Sequence, residues 1–336
     1  MSNNSVARRQ MTLIAALLLL LTSILTGCSA SSAVPSQESD TVIGASADTD
    51  LEAACTFTDA LDRSVTVHAP RRTAALLGSF AQIWQLAGGE VCATADDAWD
   101  DLALDLAPDT VNLGKTKELS LEKLLEARPD FILASTNTRQ NVEWKDTLEA
   151  AGIPVAYFDV SDFEDYLQLL KICTSITGRS DLYEKNGLNV QTQIEAVLQK
   201  SQERIAVSDS PKVLSLAASA SKVRAKNSTS NVLGRMLYAL GCENIADSDQ
   251  TLLENLSLEH ILQADPDFIF VVQHGDDTEG TRRLFEQMMD EQPAWKQLSA
   301  VRSGRIYFME KSLYSLKPNH RWGEAYELLE EILTDE

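Results

Sequence analysis

The chain has 336 residues, long enough for two domains, and a hydrophobic content of 44% excludes disorder over most of it. A formal charge of −21 argues against nucleic acid as a partner, because phosphates demand clustered Lys and Arg. Five cysteines and four histidines form no CxxC pair and no mixed cluster, which argues against a zinc site or a bare divalent metal.

Residues 1–27 read as a targeting segment. Arg8-Arg9 give a positive start, and Met11 to Leu25 give an apolar stretch. The arginine pair lacks the wider pattern of a twin-arginine signal. The run meets Leu25-Thr26-Gly27-Cys28, which resembles the lipobox of bacterial lipoproteins. That resemblance implies that Cys28 is diacylated and becomes the first mature residue; a plain signal peptide or membrane anchor is the alternative. Paired acyl chains anchor stably, at about 0.8 kcal/mol per buried CH₂. Residues 28–54 are small and polar without periodicity, which predicts a flexible tether. Beyond it, Cys55, Cys92, Cys173 and Cys242 permit disulfides but fit buried free thiols equally well.

Residues 55–180 predict an N-terminal α/β lobe. Alternation on both sides of Asp62-Arg63-Ser64 predicts a hairpin over Thr56–Val67. Strands at Ala74–Leu77, Val91–Thr94, Phe131–Ala134 and Val155–Phe158 then alternate with helices at Phe80–Leu86, after Ser120, and near Val142–Ala150. That order predicts a parallel sheet with helices on its faces. Ligands of such sheets lie beyond the carboxyl ends of the strands. The rule picks out Gly78-Ser79-Phe80, Asp96 to Trp99, Ser135 to Arg139 and Asp159.

A helix from Phe163 to Thr177 stops at Gly178. Residues 181–208 predict a second helix, with Val190, Ile194, Val197, Leu198 and Ile205 on one face. At about 40 Å it is longer than one small lobe needs. It serves either as a strut between lobes or as a peripheral helix. Residues 209–336 predict a C-terminal lobe: a strand at Lys212–Ala217, a helix at Asn231–Leu240, a strand at Arg305–Met309 and a closing helix at Trp322–Leu333. Its strand ends expose Ser219 to Asn227, Gln273-His274-Gly275 and Glu310 to Arg321.

One stretch occurs twice. Leu119-Ser120-Leu121-Glu122 runs through Leu124-Leu125 and Pro129-Asp130 into Phe131-Ile132-Leu133. Leu256-Ser257-Leu258-Glu259 runs through Ile261-Leu262 and Pro266-Asp267 into Phe268-Ile269-Phe270, without a gap. Each copy reads as N-cap serine, amphipathic helix, proline break and core strand. The repeat implies two similar lobes.

The hairpin Thr58-Asp59-Ala60-Leu61-Asp62-Arg63, the Leu113-Gly114 turn, the repeated units, Asn231-Val232-Leu233 through Asn244, and Lys317-Pro318-Asn319-His320-Arg321 occur in a specific order. In that order the chain resembles the substrate-binding lipoproteins of ABC importers for iron–siderophore, haem or cobalamin. Asp62 stands where that family usually has Gly. The resemblance implies an α/β fold of class III periplasmic-binding-protein architecture: two Rossmann-like lobes with parallel sheets joined by a single long helix. It also implies that Glu122 and Glu259 dock on a permease dimer, the membrane being met through the lipid anchor alone. Both glutamates also suit the positive end of a helix dipole.

The cleft loops hold Lys115, Lys222, Arg224, Lys226, Lys317 and Arg321, cations that suit an anionic ligand. Trp99, Phe80, Tyr314 and Trp322 offer apolar walls. Ser79, Thr116, Ser135, Asn137, Arg139 and Gln273 complete the candidate ligand-binding set, with His274 and His320 as hydrogen-bonding groups or, for haem, axial ligands. An anionic ferric siderophore heads the ligands, ahead of haem and cobalamin; no cofactor of the protein's own is expected. Enzyme signatures fail. Gly114-Lys115-Thr116 lacks the P-loop glycine, Asp109 standing in its place, and there is no G-x-S-x-G or H-E-x-x-H. A lipid-anchored α/β hydrolase is the alternative of a different class.

Overall fold

A computed structural model describes residues 54–275 and 277–335. The expected signal segment, Cys28 and nearly all of the tether lie outside the described residues. Among the described residues, no helix is long and apolar enough to cross a membrane.

The hairpin forms where alternation predicts it, as β1 (Ala54–Thr58) and β2 (Ser64–His68), paired antiparallel. Asp59, 5% exposed, builds its turn. The carboxylate accepts from the amides of Leu61, Arg63 and Tyr157 and pairs with the Arg63 guanidinium. Asp62 has φ +57°, a conformation that glycine adopts at lower cost, so glycine's use at this position has a backbone reason.

Five parallel strands form the first sheet: β3 (Thr73–Ala75), β4 (Val91–Thr94), β5 (Val111–Asn112), β6 (Phe131–Ser135) and β7 (Val155–Phe158), in the order β5-β4-β3-β6-β7. The second holds β8 (Lys212–Ser219), β9 (Lys222–Lys226), β10 (Glu243–Asn244), β11 (Phe268–Gln273) and β12 (Ile306–Met309). Its parallel order is β10-β8-β11-β12, and β9 lies antiparallel on β8. Helices cover both faces, so β6 is buried at every residue, as a central parallel strand should be.

Three expectations need correction. Ser219 to Asn227 is mostly the strand β9: Val223 and Ala225 turn inward while Lys222 and Arg224 face solvent, a period of two. The helix near Val142–Ala150 is two pieces, Arg139–Glu143 and Lys145–Ala150, meeting at Trp144. Ser257 stands at the N-cap position but its side chain makes no capping bond, whereas Ser120 accepts from the Lys123 amide. A helix at Thr278–Glu291 had no expectation attached.

The repeat extends into the backbone. Helices Leu121–Glu126 and Leu258–Ala264 lead to Arg128 (φ +48°) and Asp265 (φ +44°), each left-handed directly before its proline. The aspartate after each proline then pins the first strand of its sheet. Asp130 accepts from the amides of Arg71 and Arg72, both at 2.9 Å, and Asp267 from that of Lys212 at 2.8 Å. Leu124 and Ile261, both 0% exposed, anchor the two helices in separate outer cores.

Residues 180–205 run helically from Ser180–Tyr183 through a π turn, Glu184–Leu188, into Asn189–Ile205. The near end is tied to the first sheet's helices: Asn186 donates to the Leu86 carbonyl, and the Tyr166 hydroxyl donates to that of Asn186. The far end is tied to the second: Ser201 donates to the Leu240 carbonyl, and Arg204 pairs with Glu330 at 3.0 Å. This is how a strut is bound. One core cluster runs through both halves, with Phe163 edge-on to Trp322 where they meet. Cys55, Cys92, Cys173 and Cys242 are all free.

Candidate functional site

The β8–β9 hairpin carries the clearest candidate. Its alternation sends Lys222 and Arg224 to one face, and with Lys226, Ser219, Ser221 and His274 they line a pocket of about 320 Å³. Burial, with Lys226, Lys117 and Lys311 nearby, holds His274 below the ordinary histidine range, so it is neutral at pH 7. Its Nδ1 lies 3.2 Å from the Ser315 hydroxyl. Larger hollows of about 440 and 540 Å³, beside Tyr307 and beside Phe57, gather no such set of cations.

The segment 310–321, which leaves the carboxyl end of β12, connects this pocket to the other half. Lys311 pairs with Asp101 at 2.6 Å. Asn319, 0% exposed, donates to the Ser79 carbonyl at 3.0 Å and to Gln82 at 2.7 Å. The Lys317 ammonium stands 5.9 Å from the centre of the Phe80 ring, and burial lowers its pKa against the pull of Asp159 and Asp97.

The facing N-terminal surface is acidic, which the cation-based reading missed. Asp97 accepts from the Gly78 amide at 2.9 Å. Burial pushes its carboxyl up to about 6; Asp101 and Asp96 add to the rise, and the Gly78 amide and Lys317 oppose it. The approach is tight, since a Cβ on Gly78 would stand 2.5 Å from the Ala98 nitrogen. Asp159 accepts from Asn137 at 2.5 Å and from the Ser161 hydroxyl at 2.9 Å.

Of the expected residues, Lys222, Arg224, Lys226 and His274 come together in the pocket, and Gln273 sits beside them with its amide on the Gly275 carbonyl. Trp99 is half-buried in the turn of helix Asp97–Asp100. Four expectations fail on burial or pairing. Phe80 (0% exposed) packs edge-on to Phe158, and Tyr314 (2%) donates to the Ala325 carbonyl, so neither offers a wall; Trp322 (1%) is equally enclosed. Arg321 is clamped by both oxygens of Glu324 at 2.7 Å and by Glu310, so its charge is already answered.

Ser79 and Ser135 are buried, Ser135 accepting from the Asn137 amide. Arg139 is exposed and paired with Glu143. Lys115 is exposed and Thr116 half-buried; Lys117, two residues on, is the cation of that turn whose field reaches His274. His320 is exposed, and partial desolvation with the Arg321 charge beside it holds it below its ordinary range. Glu122 and Glu259 are both exposed in the first turns of their helices. Among the described residues no group of three His, Cys, Asp or Glu side chains could hold a metal ion.

Two sheets, the second with β9 antiparallel on β8, are bridged by one long helix, with a polar pocket at the strand ends where ligands of such sheets lie. Residues 74–313 match the periplasmic binding protein family model, and the chain belongs to that family. It is 25% identical over 215 residues to the iron-uptake system-binding protein of Bacillus subtilis (strain 168), covering 62% of this chain and 63% of that one. The Fe(3+)-citrate-binding protein YfmC of the same organism is 23% identical over 251 residues, 73% and 75% of the two chains. Staphylococcus aureus SirA complexed with staphyloferrin B matches with a TM-score of 0.64 at 18% identity, over 84% of this chain and 99% of that one, a likeness of fold. The chain spans just under two thirds of the length of the first curated relatives it matches.

Proposed function

We propose that the chain is the extracytoplasmic substrate-binding component of an ABC importer, held to the membrane by lipid at Cys28. It captures a ferric chelate of net negative charge between its lobes and presents it to a permease dimer through Glu122 and Glu259. The supporting observation is the concentration of Lys222, Arg224 and Lys226 around one pocket in a protein of charge −21. Such a pocket draws anions and grips their oxygens. Relatives named for ferric citrate and for iron uptake support the same direction. Haem is the second reading, favoured by the neutral His274 imidazole, which can donate to iron.

The test is a tryptophan-fluorescence titration of the full-length chain with ferric citrate, haem and cobalamin, corrected for ligand absorbance. Trp99 is the half-buried reporter beside the cleft. Saturable quenching by ferric citrate that weakens with salt is expected. A haem Soret shift with no ferric citrate response moves the assignment to haem, and silence from all three sinks it. In the same assay, a chain with Glu122→Gln and Glu259→Gln keeps its affinity while cellular uptake stops.

A further inference from the structure

The second sheet ends at β12, which pairs with β11 on one side only. Ile269 donates to the Arg305 carbonyl at 3.0 Å, and the parallel register then turns the backbone groups of Tyr307 toward β11 and those of Ile306 and Phe308 away from it. Among the described residues no protein group answers these outward donors and acceptors, and Phe308 is exposed. One face of this edge is closed: Phe308 lies edge-on to Phe285, with the Arg282 guanidinium 4.4 Å from its ring centre. The other face is open. Helix Trp322–Thr334 buries Tyr326, Leu329 and Leu333 in the core, but its Leu328 and Ile332, one turn apart, stand with Tyr307 around the hollow of about 440 Å³. The helix therefore reaches past the last strand and roofs a position that no described strand fills. An unpaired edge of this kind is a template for another chain.

We propose that the outer edge of β12 docks an extended basic segment of a different protein, added to the sheet as a sixth strand. Its main chain bonds Ile306 and Phe308, an apolar side chain enters the hollow, and a Lys or Arg meets Glu331 or Asp335. The charge of the site selects that partner. Glu331 and Asp335 lie on the same helical stripe as Leu328 and Ile332, and no Lys or Arg lines the hollow. The carboxyl end of the helix adds its own partial negative charge there. The same charge disfavours a second copy of this chain. Antiparallel pairing of two β12 strands about a twofold axis normal to the sheet keeps each face on its own side, so Glu331 and Asp335 would turn toward their own copies. The edge is separate from the anion pocket, with which it shares no lining residue, so it does not depend on the ligand assigned above.

Fluorescence anisotropy of a labelled synthetic peptide, Lys-Thr-Val-Thr-Lys-Thr-Val, titrated with the full-length chain tests this. The peptide sets lysine and valine on one face of a strand. Saturable binding that weakens with salt is expected, and N-methylation of alternate peptide amides should abolish it in one of the two phases. Glu331→Lys combined with Asp335→Lys should weaken the peptide about tenfold and favour a version with glutamate in place of lysine. Both positions are exposed, so the swap is read in a folded chain whose ferric citrate titration stays unchanged. Phe308→Pro removes an outward donor without breaking a bond to β11 and should also weaken the peptide. Binding that ignores the charge swap or both N-methylated peptides overturns the proposal, as does no binding at the highest soluble concentration. Sedimentation showing a dimer that Phe308→Pro dissolves assigns the edge to a second copy and overturns it too.

Discussion

In the N-terminal half, the segments leaving β4 and β7 carry Asp96, Asp97, Asp100, Asp101 and Asp159. In the C-terminal half, those leaving β8, β11 and β12 carry Lys222, Arg224, Lys226, Lys311 and Lys317 around His274. Beneath these opposite surfaces the frames agree. Each has a capless or serine-capped short helix, a left-handed residue before proline, and an aspartate pinning the strand next door. The core dictates the frame, because helix and strand must bury their apolar faces; the loops at strand ends escape that demand and are free to differ in charge. The C-terminal half differs further in β9, which turns a loop into a rigid bearer of cations.

The shared frame should fail equally on both sides. Leu124→Ala and Ile261→Ala each remove a fully buried side chain and should each cost about 2–5 kcal/mol in denaturant unfolding. A large loss at one and none at the other would show that the two units do not bear equivalent loads.

The contrast in charge should appear in binding. Arg224→Gln combined with Lys226→Gln should weaken ferric citrate roughly a hundredfold, given about 1.5–3 kcal/mol for a hydrogen bond to a charged group. Lys123→Gln combined with Lys171→Gln, both exposed on the other half, should shift the same titration by no more than about twofold. Equal losses would dissolve the distinction between the two faces.

The acidic face makes the smallest prediction, in stability against pH. Asp97 has its folded pKa raised by burial to about 6, above that of the unfolded chain. Above pH 6 both states are ionised and the folded state carries the net cost of burying the charge. That penalty shrinks as pH falls through 6 and is gone below about 4. Asp97→Asn should therefore raise stability at pH 7.5 and leave it unchanged at pH 4. Urea melts showing the same gain at both values would assign the effect to packing instead.

Much of the frame was legible from local pattern. Alternation placed the hairpin, apolar runs placed β4, β6, β7 and β11, and the repeated helix–proline–strand unit announced two related halves. The signal for β9 was also present, in the alternation of Lys222 to Lys226, and so was the neutralisation of Arg321, since Glu324 follows it by one helical turn. What the sequence could not determine is which charges remain unanswered. Lys311 meets Asp101 across 210 positions of chain, and Asn319 reaches Ser79 across 240. Periodicity reports which face of an element is buried, but not what stands opposite it. Phe80 and Tyr314 became core, and Lys317 a half-buried cation, only when the two halves closed on the segment between them. Desolvation and pairing depend on that closure, and it exists only in three dimensions.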